Sequence, residues 1–149
     1  MRTQRRGHLI VAAATSLALL GLATNALAQD EQGRTCTSHK LAGLYLFSAS
    51  GYTIVAGAAQ PKAINELIRF NGDGTLTVPA ATVSLNGTII TAPPGGVGVY
   101  TMEANCKGTL QFTNGPSFDI FASPGGEDVW MIQTNPNNVM QGNATRISR

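Results

Sequence analysis

From residue 43 onward, apolar and polar residues alternate in short runs that are broken by Gly, Asn, Asp and Pro. Alternation with a period of two marks half-buried strands, and those breakers mark reverse turns. Gly-Leu-Tyr-Leu-Phe-Ser at 43–48 predicts a first strand that ends in Ala-Ser-Gly at 49–51, and Tyr-Thr-Ile-Val at 52–55 predicts a second. Residues 63–70 contain Ala, Glu and Leu, which a helix accepts. However, Ile64, Ile68 and Phe70 share one strand face and a hairpin signal follows, so a strand is predicted.

That hairpin signal is Asn-Gly-Asp-Gly-Thr at 71–75. Closely spaced Asn, Asp and Gly also occur in calcium loops, which need alternating oxygen ligands and a glutamate at the twelfth position. Counted from Asn71, the twelfth residue is Thr82, and no second acid lies between them. Asn and Gly do supply the positive φ that tight hairpins require. A turn is predicted. The Gly-Thr-apolar form that follows at 74–78 recurs at 87–90 and 108–112, each time opening a new strand. Further strands are expected at 97–104, 117–122, 129–134 and 142–147, with loops at 93–96, 123–126 and 135–138.

About eight antiparallel strands in one small domain must bury one face and dispose of their edges. The fold class expected is therefore all-β: a small antiparallel up-and-down β-barrel preceded by a cleaved signal helix, with a sandwich as the rival.

The N-terminus changes the picture of composition. Arg2, Arg5 and Arg6 precede an apolar run from Leu9 to Leu22, and Ala-Leu-Ala at 26–28 has the small-x-small form of a cleavage site. The run is shorter than the ~20 residues a spanning helix needs. The expected division is a signal peptide at 1–28, a lead at 29–42 and one barrel domain at 43–149. The destination would be the periplasm or the exterior of a bacterium, by Sec or, given the paired arginines, twin-arginine export. The chain has ten basic and eight acidic residues and a net charge of +2, and three of the arginines leave with the signal. The mature chain is then nearly neutral, with nothing to attract nucleic acid or an anionic membrane over a distance.

Two cysteines remain, Cys36 and Cys106. In an oxidising compartment an isolated pair is expected to form a disulfide, pinning the lead across one barrel end. The spacing is not that of a redox motif. With His39 as the one histidine beyond the signal, neither a metal set nor a proton-shuttling triad is indicated, and no cofactor motif is present. Asn86-Gly87-Thr88 and Asn143-Ala144-Thr145 match a glycosylation pattern but read as turn and strand residues in a bacterial protein.

The segments at 43–47, 70–74, 100–108 with its cysteine, and 132–136 together resemble a group of small secreted bacterial proteins described as calycin-like, or as having an allene oxide cyclase-like barrel. The resemblance spans 43 to about 146 and implies a barrel, with no activity assigned to most of the group. The lipocalin Gly-x-Trp signature is not met, because Tyr45 stands where Trp would be. No catalytic residue of the cyclase is matched.

Three functional readings follow. A binding or structural module would hold a small apolar ligand in the barrel, against such side chains as Phe70, Phe112 and Trp130. An isomerase or cyclase would use Glu66, which shares its strand face with Ile64, Ile68 and Phe70, together with Tyr45 or Tyr100. Burial would raise the carboxyl pKa for acid–base work. The opposite register would turn Glu66 to solvent and Leu67 inward. A surface-interaction protein would present Trp130, in the all-apolar run 130–132, beside the Pro/Gly loops.

Overall fold

The computed structural model describes residues 35–149, so the signal-peptide region lies outside the described residues. A short 3₁₀ turn, η1 (Ser38–Leu41), leads into nine strands. They are β1 (Gly43–Val55), β2 (Ala58–Phe70), β3 (Thr75–Leu85), β4 (Thr88–Ala92), β5 (Gly96–Met102), β6 (Lys107–Phe112), β7 (Ser117–Ala122), β8 (Asp128–Gln133) and β9 (Asn138–Ser148). Every pairing is antiparallel. Eight strands close on themselves in the order β2-β1-β9-β8-β7-β6-β5-β3, with β3 returning to β2. The structure is thus the expected all-β barrel, and closure removes the sheet edges. β4 stands apart as a flap on the outer half of β3.

The first two strands are longer than the residue pattern predicts. Ala-Ser-Gly at 49–51 does not end a strand: β1 runs through it to Val55, and the reversal comes at Ala56 and Gly57, both at positive φ. Gly51 is needed there because a Cβ would run into the Val139 carbonyl of β9. The turn at 71–75 forms as predicted. Asn71 N–H donates to the Thr75 carbonyl at 3.0 Å, and the Thr75 amide and hydroxyl both donate to Asp73. Those bonds hold the Asp73 carboxyl below its ordinary range.

Alternate residues of each strand fill the interior. Tyr45, Phe47, Phe70, Phe118, Ile68 and Leu110 are among these and are almost wholly buried. Edge-to-face pairs join the rings: Phe70 lies 5.0 Å from Tyr45 and 4.9 Å from Tyr100, and Phe118 lies 5.8 Å from Phe47 and 6.1 Å from Phe112. A barrel of eight strands has an interior that side chains of this size can occupy.

One end is capped. Leu41 of η1 is buried in the core cluster. Cys36 is bridged to Cys106 in the β5–β6 turn, with Cα atoms 4.9 Å apart, and Cys36 N–H donates to the Ala104 carbonyl at 3.2 Å. The expected disulfide therefore exists and holds the lead to this end.

Candidate functional site

The register decides the orientation of Glu66. It stands opposite Phe47 on β1 and Ala81 on β3, both inward positions, and only 7% of it is exposed. No hydrogen bond or ion pair reaches it from the described residues, and burial alone pushes its carboxyl up to about 7 from an ordinary 4.5. At neutral pH the group is divided between acid and carboxylate.

Tyr45 and Tyr100 face the same interior, but their hydroxyls are committed to the capped end. Tyr45 donates to the Gly126 carbonyl and accepts from Arg146 Nε at 2.9 Å. Tyr100 donates to the Ser38 carbonyl and accepts from the Gly72 amide, each at 3.0 Å. Burial pushes both phenols up, against the lowering effect of those partners. Arg146 is the hub of this end. Its guanidinium lies 5.3 Å from the Tyr45 ring centroid and donates to the Lys40 and Gly126 carbonyls. The structure thus gathers Tyr45, Phe70 and Tyr100 into one edge-to-face cluster, while Glu66 has no hydrogen bond to either phenol. Phe70 and Phe112 are core residues, each packed against other aromatic rings.

Trp130 is placed differently. It lies on the outside of β8, opposite Phe121 of β7, and is 52% exposed. With Phe121 and Ile132 it forms one wall of a hollow of about 810 Å³ on the outer surface of the barrel. The floor crosses β9, β1, β2 and β3 and consists of short side chains, among them Ser48, Ser50, Ala63 and Ser84. Asn65, Gln141 and Asn143 add amides. A second hollow of about 820 Å³ shares Ser50, Ala63, Ser84, Ile132 and Gln141 with the first, and runs on past Tyr52, Pro61 and Val139. The two form one trough.

At Gly142 on β9 a Cβ would fall on the Ser48 carbonyl and on Ala49, so β9 and β1 approach where no side chain intervenes. Two amide oxygens beside the trough are buried without a partner. Asn143 gives its Nδ2 to Thr145 Oγ1 at 3.0 Å and to Asp128 at 3.4 Å, yet its buried Oδ1 has no partner. Gln133, 9% exposed, likewise gives Nε2 to Asn135 and leaves Oε1 without one. Residue patterning singled out Trp130 but missed the rest of the trough. The available signal was the outer face of 46–52, where serines stand at alternate positions 48 and 50 instead of charged residues.

Among the described residues, no three or more His, Cys, Asp or Glu side chains come together as a metal site, and no helix is long and apolar enough to cross a membrane. No protein-family model, curated protein or solved structure matches this chain.

Proposed function

We propose that the protein is an exported binding module that takes a small uncharged ligand in the trough on its outer wall. The observation that carries this is the contrast between two surfaces. The barrel interior is occupied by its own aromatic side chains, whereas Phe121, Trp130 and Ile132 stand exposed together around a hollow large enough for a small molecule. Export is supported by the signal-like pattern at 1–28 and by the Cys36–Cys106 bridge, a feature of oxidising compartments. The kinship to calycin-like barrels, resting on the strand and turn motifs, belongs to the same proposal.

Native mass spectrometry of protein purified from its host tests it. A retained small molecule that Trp130→Ala no longer holds is the expected result. A molecule retained equally by Trp130→Ala and wild type would place binding elsewhere.

One observation favours a second reading, an isomerase or cyclase. Glu66 is a carboxyl group in an apolar interior with no partner, the environment that tunes an acid–base group to neutral pH. The phenols are held at the capped end, so Glu66 would act without them. A Glu66 titration near the ~4.3 of a free glutamate removes this reading.

A further inference from the structure

We infer that the trough is built for a neutral oligosaccharide. This rests on the reading of the outer wall as a ligand site and adds the chemistry of the ligand.

The first observation is a pair of aromatic platforms. Trp130 and Tyr52 are both about half exposed, and both face outward on strands that flank β9. Trp130 pairs with Asn143 and Tyr52 with Val139. The platforms are therefore four residues apart along β9, about 13 Å at the rise of a strand, and about 10 Å apart across it. A pyranose ring has an apolar C–H face, whose weakly positive hydrogens match the negative face of an aromatic ring. Two platforms at this spacing suit a chain of several rings better than a single one.

The second observation is what lies between them. Ser50, Ser84 and Gln141 line the shared part of the trough, with Asn65 and Asn143 toward Trp130. Hydroxyls and amides both donate and accept, as sugar hydroxyls do.

The third is charge. Lys62, at the far end, is the one charged side chain among those that line either hollow. A charged ligand would lose its hydration there and gain almost no counter-charge.

Other uncharged ligands fit less well. A purely aliphatic molecule would strip water from this row of hydroxyls and amides and return no hydrogen bonds, at roughly 1–3 kcal/mol for each group left unpaired. An extended peptide gains affinity chiefly by adding a strand to a free edge. Most strands under the trough are paired on both sides, β9 lacks a β8 partner only at 138–140, and the free edge of β4 lies beyond them.

The test uses the oxidised full-length mature chain and the fluorescence of Trp130, its one tryptophan. It is titrated with neutral gluco- and chito-oligosaccharides of increasing length, a uronic-acid oligomer and an alkyl-aromatic probe. Neutral oligosaccharides should bind, more tightly with length until both platforms are covered. Trp130→Ala, followed by backbone amide shifts, should weaken binding by about tenfold or more, as loss of a central aromatic anchor does. Tyr52→Ala should abolish the gain from length. Leu46→Ala, on the outer wall but outside the trough, should change nothing. If only the alkyl-aromatic probe binds and Trp130→Ala releases it, the saccharide assignment falls while the outer-wall site stands. If nothing binds, both fall. Saccharide binding that is indifferent to Trp130→Ala and Tyr52→Ala also overturns the assignment.

Discussion

Glu66 on β2 stands directly opposite Phe47 on β1, so an ionisable carboxyl shares the barrel interior with a fully buried ring. Its pKa, pushed up to about 7 from 4.5 by burial, means that the folded state holds the proton more tightly than the unfolded state. Stability is therefore greatest below about pH 4.5 as far as this group is concerned, and it declines as pH rises through the window to about 7. The full loss is roughly 3 kcal/mol. Urea unfolding of wild type at pH 5 and pH 8 should show that decline. In Glu66→Gln it should be largely absent, so that the variant gains on wild type as pH rises.

Arg146 ties the last strand to η1 and to the β7–β8 loop through Tyr45, Lys40 and Gly126. Arg146→Met should leave buried carbonyls without donors and cost about 3 kcal/mol, whereas Tyr45→Phe should cost only about 1–2 kcal/mol. Thermal melts give the order. Because this cluster sits at the capped end, Tyr45→Phe should leave ligand binding in the trough unchanged.

The disulfide closes a loop with a sequence separation of 70. Its removal in a Cys36→Ser/Cys106→Ser variant should lower stability by about 4 kcal/mol, on the chain-entropy account. The circular dichroism of the folded variant should remain that of a β-barrel, because η1 and the strands keep their own contacts. A variant with full wild-type stability would show that the bridge constrains the unfolded chain far less than that account requires.

Gly142 lies beneath the trough where β9 meets Ser48 and Ala49 of β1. Gly142→Ala should cost about 1–3 kcal/mol through overpacking against backbone. It should also push these strands apart and weaken ligand binding. Trp130→Ala should cost less than about 1 kcal/mol of stability, because its ring is half in solvent, while weakening ligand binding by about tenfold or more.

Much of the fold was legible along the chain. The turn at 71–75, the Gly-Thr strand openings and the cysteine pair each follow from rules that act within a few residues, or from the redox habits of a compartment. The extent of β1 and β2 was not legible. Ser and Gly at 50–51 look like a turn in isolation, and only the neighbouring β9 backbone shows why a glycine is needed inside a strand. The inward position of Glu66 was left open because alternation gives two faces without naming the core. The pairing with Phe47 settles it.

By itself, then, the order of residues determined that this chain makes antiparallel strands, where most of them turn, and that its two cysteines would meet. Closure of eight strands decided the rest, because a barrel's curvature and register act between residues far apart in the chain. Those long-range constraints filled the interior with rings and put Tyr45 and Tyr100 to work in a cap. They also set β8, β9 and β1 side by side in a register that lines Trp130, Gln141 and Tyr52 along one outer trough.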